Sequence, residues 1–136
     1  MNQPDKLNLT LIDLVQRARM QHDAEATPSQ VSGVYWIEAK RPSEIDAPGP
    51  TPRAGYWQMV TTVDQVDALW AAIKAATEAG QLGYKSKVAT ASHDSFASHR
   101  MIHVLTYDHA DQADIERVRA ALAALDLPGE WTYHGD

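Results

Sequence analysis

The chain contains two pairs of strand-like segments, and within each pair the second segment follows the first with no helix between them. The first pair is Val34–Ile37 and Tyr56–Val60, and the second pair is Tyr84–Ala91 and Met101–Tyr107. Their many aromatic and β-branched residues suit a pleated, half-buried surface. Because a purely parallel sheet needs a long crossover between successive strands, these direct pairs exclude it. The pattern predicts a mostly antiparallel α+β fold.

Two amphipathic helices and a short last strand complete the pattern. The first helix is expected to begin near Val63 with Thr62 as its cap, and the second to follow Asp111, another capping residue. With Trp131–Tyr133 as the closing strand, the predicted order is ββαββαβ, with both helices on one face of the sheet. Each helix should bury one apolar stripe, made of Val66, Leu69, Trp70, Ile73 and Ala76 in the first and of Ile115, Val118, Leu122 and Leu125 in the second.

A further segment precedes the first strand. Leu9–Ala24 carries apolar residues at helical spacing, and the proline within Thr27–Ser29 ends the pattern. We expect residues 1–30 to form an amphipathic helical arm and residues 31–136 to form the main domain. The apolar side of the arm is predicted to pack on the domain, with a partner-docking or dimerising role as the alternative. The proline-rich residues 41–52 are expected to form an exposed loop.

Composition limits the function. The formal charge of −6 has the wrong sign for a general nucleic-acid binder, so no extended nucleic-acid partner is expected. No apolar run is long enough to span a bilayer and no signal-peptide pattern occurs, which predicts a cytoplasmic protein without membrane contact. Since the chain has no cysteine, any catalysis must use other side chains. The histidines lack metal-binding spacing, so neither a metal nor another cofactor is expected.

Lys85 and Lys87 are the strongest candidates for a functional site. Alternation along the third strand places both on one face, where they repel each other unless an anion or a carboxylate lies opposite. A phosphate would satisfy both lysines. A desolvated lysine beside another cation also has a lowered pKa, which suits a general base. The alternative is that both lie on the solvent face of the sheet, where lysines are common.

Four further residues are candidates with less specific signals. Arg100, at the start of the fourth strand, could make bidentate contacts to a phosphate or form a surface ion pair. His103, within that strand, is either a buried, hydrogen-bonded core residue or a proton donor. Trp36 and Trp57 lie on strands, where they could stack on a base, although the core is the more common place for such residues.

The chain also resembles a known family over residues 33–136. The matching pieces occur in one order and spacing and continue to the C-terminus. They resemble the basophilic-leukaemia-expressed-protein family, whose members are also labelled phosphothreonine lyase domain proteins. The pieces that carry the resemblance are Tyr35–Ile37, Gly55–Val60, Val66–Trp70, Ala76–Gly83, Lys85–Ala91, His103–Asp108, Ala113–Arg119 and Trp131–His134.

That resemblance implies a fold similar to the cap-binding translation initiation factors, a curved antiparallel sheet with helices on its convex side. A more distant likeness to bacterial effector phosphothreonine lyases implies β-elimination of phosphate. On that likeness Lys87 is the base, Arg100 a phosphate ligand and Tyr107 a substrate-positioning group. Gln58 stands where those lyases carry their histidine acid, so elimination requires His103 to supply the proton.

The sequence therefore predicts a phosphate-recognising, lyase-like domain whose partner is a phosphorylated small molecule or peptide. Two alternatives belong to other functional classes. One is a non-catalytic module that binds a nucleotide or a cap-like ligand between Trp36 or Trp57 and the lysines. The other is a protein-interaction domain that uses the N-terminal helix.

Overall fold

The fold is that of a computed structural model that describes residues 27–29, 36–90 and 99–135. Within these residues there are five strands and two helices in the predicted order ββαββαβ. The predicted N-terminal helix lies outside them. The elements are β1 (Trp36–Lys40), β2 (Gly55–Thr62), α1 (Val63–Glu78), β3 (Lys85–Ala89), β4 (His99–Thr106), α2 (Gln112–Ala124) and β5 (Thr132–His134).

The described strands form one open sheet in the order β1-β3-β4-β2-β5, and every neighbouring pair is antiparallel. The predicted α+β class is therefore confirmed. β1 and β2 are consecutive in the sequence, yet β3 and β4 lie between them. With strands about 4.8 Å apart, the connection from β1 to β2 must cross roughly 14 Å at the end of the sheet. The proline-rich loop supplies that length.

Both helices pack on one face of the sheet and enclose the core. The predicted stripe of α1 is buried throughout, and so are Ile115, Val118 and Leu122 of α2, while Leu125 is half-buried. In the strands every second residue joins this core, as in Met59, Val88 and Ile102. We call the opposite side of the sheet, which faces away from the helices, the open face. It carries Trp36, Glu38, Lys40, Tyr56, Gln58, Val60, Thr62, Lys85, Lys87, His99, Met101, His103, Leu105, Thr132 and His134.

The two helices begin differently from one another. Asp111 caps α2 as predicted, because its side chain accepts a hydrogen bond from the backbone N–H of Asp114 at 3.1 Å. Thr62 occupies the N-cap position of α1, but its side chain makes no capping hydrogen bond. Thr62 is also the last residue of β2, and alternation turns its side chain toward the open face, away from the first turn of α1. The predicted side-chain cap is therefore wrong.

Segment 27–29 packs against α1. The backbone N–H and the hydroxyl of Ser29 both donate to the Asp67 carboxylate, at 3.0 and 2.6 Å, and Pro28 is buried. Asp67 therefore binds this segment instead of facing water. In the part of the chain that the structure describes, neither helix has the length and apolar character needed to cross a membrane.

An ion pair fixes the far end of the proline-rich loop. Arg53 binds Asp108 through two hydrogen bonds, Nε to Oδ1 at 3.0 Å and Nη2 to Oδ2 at 2.6 Å. Asp108 also accepts from the backbone N–H of Ala110 at 2.8 Å. These bonds, led by that from Arg53, lower the pKa of Asp108 from 3.8 to about 2. The loop is thereby joined to the segment that follows β4.

This lowered pKa predicts an acid-dependent contribution to stability. In the unfolded chain Asp108 titrates near its ordinary pKa of 3.8, so its contribution is complete above that pH and is lost as the pH falls toward about 2. Between these limits the urea midpoint of the wild type should fall more steeply than that of Asp108→Asn, which keeps the shape but cannot titrate. Parallel slopes for the two proteins would contradict the assignment.

Candidate functional site

A row of polar side chains crosses the open face at its centre. Each member lies directly opposite the next on the neighbouring strand, in the order Glu38, Lys87, His103, Gln58 and Thr132. We call this set the central row. Directly opposite residues of an antiparallel pair have Cβ atoms about 4.5–5.5 Å apart, so their side chains interact. The register therefore makes Lys87 and His103 immediate neighbours.

Lys87 is a half-buried amine beside an aromatic ring. Its Nζ lies 4.3 Å from the ring centroid of Trp36, within the range of a cation–π contact. Burial is the main cause that lowers the pKa of Lys87, and the charge of Lys85 adds to the effect, while Glu38 acts in the opposite direction. A larger fraction of Lys87 is therefore neutral near physiological pH than for an ordinary lysine. Proton abstraction needs that neutral form.

The carboxylate that relieves the repulsion between the two lysines is Glu38. Its Oε2 lies 3.4 Å from Nζ of Lys85, and both side chains are half-buried. Sequence reasoning missed Glu38 because the predicted first strand ended at Ile37, whereas β1 continues to Lys40. Alternation from Trp36 along that longer strand places Glu38 on the open face, so the signal was present in the pattern.

His103 is both buried and hydrogen-bonded. Only 8% of the residue is exposed, and its Nε2 lies 3.0 Å from Oε1 of Gln58. The imidazole stacks on the ring of Tyr56, with centroids 4.2 Å apart, and lies 5.0 Å from the ring of Trp36. On the far side of Tyr56 the ring of His134 continues the stack at 5.1 Å. Packed rings thus hold His103 on both sides.

Arg100 and Trp57 lie on the helix side of the sheet. Arg100 is 5% exposed, and Nη1 donates to the backbone oxygen of His99 at 2.9 Å. It is three residues from His103, and an odd separation along a strand means opposite faces. Trp57 is 8% exposed and donates from Nε1 to the backbone oxygen of Ile115 at 3.3 Å. The structure does not bring either side chain to the lysines.

Tyr107 lies beyond the end of β4, away from the central row. Its hydroxyl donates a hydrogen bond to Asp111, and this bond is the main cause that raises the pKa of Tyr107 to about 12. The phenol therefore stays protonated and is held by its own carboxylate partner. The ring lines a separate cleft of about 240 Å³, together with Arg41, Tyr84 and Arg117. Lys87, His103 and Trp36 are thus the predicted residues that meet on the open face with Lys85.

The chain matches the model of a known protein family. The model of basophilic leukemia-expressed protein Bles03 matches residues 50–131, which is more than half of the chain. The match includes Lys87, His103 and Gln58, whereas Trp36 and Glu38 precede it. No curated protein matches the chain. On the strength of the family match, the chain belongs to the Bles03 family.

Proposed function

We propose that the open face binds a phosphorylated ligand and eliminates phosphate from a phosphothreonine-type residue. The direct cross-strand pairing of Lys87 with His103 is the observation that supports this. β-Elimination needs a base that removes the α-proton and an acid that protonates the departing phosphate. An amine and an imidazole on the same face of neighbouring strands offer these two groups side by side.

Lys87 is the base in this proposal. Its neutral Nζ takes the proton from Cα of the phosphorylated residue, and the electrons of that C–H bond form a Cα=Cβ double bond. The bond between Cβ and the phosphate oxygen then breaks, and its electron pair leaves with the phosphate. The lowered pKa of Lys87, due mainly to burial, supports the role because a protonated amine cannot accept the proton.

His103 is the acid. The imidazolium gives a proton to the oxygen of the departing phosphate, which neutralises charge that develops as the bond breaks. Lys85 is two residues from Lys87 along β3, about 7 Å away, and supplies a second positive charge for the phosphate. An arriving phosphate would compete with Glu38 for this lysine. Glu38 therefore acts as an internal counter-ion for the unliganded face.

Binding without turnover is the second candidate function. The stacked rings of His103, Tyr56 and His134, with the tilted ring of Trp36 beside His103, form an aromatic surface on the open face. Such a surface supports contact with a ring-bearing phosphorylated ligand such as a nucleotide. Of the two predicted stacking tryptophans, Trp36 is the one on this face. Quenching of tryptophan fluorescence by nucleotides, lost in Trp36→Phe, would favour this candidate.

The decisive experiment is incubation of the protein with a phosphothreonine peptide, followed by mass spectrometry. Elimination produces a dehydrated residue with a Cα=Cβ double bond, whereas hydrolysis of the phosphate ester leaves threonine, which is heavier by one water. We expect the dehydrated peptide, formed in proportion to the amount of protein. An intact peptide after prolonged incubation with equimolar protein would reject the elimination proposal.

A further inference from the structure

We infer that Gln58 is a positioning residue that fixes the tautomer of His103, so that the proton which His103 exchanges is the one on Nδ1. The catalytic meaning of this inference rests on the proposed function. For that function it identifies Nδ1 as the atom of His103 that exchanges the proton and Gln58 as the residue that positions the ring. The tautomer itself can be measured without any substrate.

The hydrogen bond between His103 and Gln58 determines which imidazole nitrogen carries the hydrogen. Nε2 of His103 lies 3.0 Å from Oε1 of Gln58, and an amide oxygen can only accept a hydrogen bond. Nε2 must therefore carry the hydrogen. A neutral imidazole has one N–H, so its other nitrogen, Nδ1, is the basic one. Gaining or losing a proton then takes place at Nδ1.

The imidazole ring of His103 is also held in place. Gln58 and His103 are directly opposite each other in the register of β2 and β4, which is fixed over eight residue pairs from Gly55 to Thr62. The imidazole is stacked on Tyr56 with an interplanar angle of 18° and is almost fully buried. A half-turn of the ring about Cβ–Cγ, which would put Cε1 where Nε2 lies, must break the hydrogen bond to Gln58 and disturb this stack.

Gln58 is also a neutral partner for an imidazole that lies among charged groups. Among the residues that the structure describes, the titratable groups near His103 include Lys87 from β3, Glu38 beyond it on β1, Tyr56 from β2 and His134 beyond that ring. A neutral amide holds Nε2–H without adding a charge to this set. A carboxylate at the same position would instead stabilise the imidazolium and make it a weaker acid. Glutamine therefore orients the imidazole and leaves it free to give up its proton.

Nuclear magnetic resonance of the full chain tests the inference. Long-range ¹⁵N–¹H correlations of the imidazole should show neutral His103 as the Nε2–H tautomer. Gln58→Glu should raise the pKa of His103 by at least about 1, because an opposite charge would lie within hydrogen-bonding distance. Gln58→Leu should lower the fraction of the Nε2–H form toward that of a free histidine. Thr132→Val, which changes the next residue of the central row, is the matched control and should leave the His103 signals unchanged.

Neutral His103 mainly in the Nδ1–H form in the wild type would overturn the inference. The same holds if the fraction of the Nε2–H form is unchanged in Gln58→Leu. If elimination occurs, Gln58→Leu should lower kcat about 10-fold or more with little change in KM, because the phosphate still meets both lysines. A fixed tautomer in a protein that never eliminates phosphate would reject the proposed function while leaving the positioning role of Gln58 intact.

Discussion

Replacing Lys87 with alanine is expected to reduce the rate of phosphate elimination by about 10²–10⁴-fold, the usual contribution of a positioned general base. The loss follows from the half-buried position of Lys87 beside His103 and Trp36. No other described amine occupies the central row, because Lys85 lies one repeat further along β3 and is bound to Glu38. Initial rates of formation of the dehydrated peptide, measured by mass spectrometry, give the comparison.

Two matched variants separate the role of the base from that of a positive charge. Lys87→Arg keeps the charge but cannot act as a base, because the pKa of arginine is above 12, so its rate should fall as far as that of Lys87→Ala. Lys85→Ala removes a charge but leaves the base, and we expect a higher KM with a smaller loss of kcat. A rate for Lys87→Ala within a factor of about 3 of the wild type would remove Lys87 from the mechanism.

Titration of Lys87 itself provides a second readout of the same assignment, because the rate also depends on protonated His103. The midpoint for the Lys87 amine, followed by nuclear magnetic resonance, should lie below the ordinary lysine pKa of 10.5 because burial and Lys85 lower the pKa of Lys87. Removing Lys85 takes away one of these causes. The midpoint for Lys85→Ala should therefore move to higher pH, whereas a surface variant such as Lys74→Ala should leave it in place.

The elements of the fold are predictable from the sequence because their signals are local. The stripe of α1, the cap at Asp111 and the alternation around Lys85 and Lys87 each depend on residues within a few positions of one another. Local sequence patterns do not determine which strands lie next to each other in the sheet. That β1 pairs with β3 and not with β2, and that Lys87 therefore lies between Glu38 and His103, depends on the register of strands distant in sequence.

Alternation along the predicted strands could nevertheless have shown which candidate residues share a face of the sheet. Arg100 and His103 belong to one strand and are an odd number of positions apart, and the same holds for Trp57 and Gln58, so each pair must divide between the two faces. Applying that rule would have separated Arg100 from any histidine acid on the open face. Tyr107 is a different case, because its place beyond the end of β4 and its bond to Asp111 follow from where the strand stops.

Replacing Trp57 with alanine is expected to lower the free energy of unfolding by about 3–5 kcal/mol, because this tryptophan lies in the core. Trp57 packs edge-on against Tyr133, with centroids 5.1 Å apart, and its Nε1 donates to the backbone oxygen of Ile115. Alanine would leave a cavity between β2, β5 and α2 and would remove this hydrogen bond. Urea denaturation followed by circular dichroism measures the change without relying on the missing tryptophan.

Controls on the same strand test whether burial is the cause. Val60 is 52% exposed on the open face, so Val60→Ala should change the free energy of unfolding by no more than about 0.5 kcal/mol. Trp57→Phe keeps most of the ring and should recover much of the lost stability, although not the hydrogen bond to Ile115. If Trp57→Ala were as stable as the wild type, the ring could not be a core residue, and Trp57 would return as a candidate for ligand stacking. A large loss instead leaves Trp36 as the described strand tryptophan that can meet a ligand on the face where Lys87 and His103 lie.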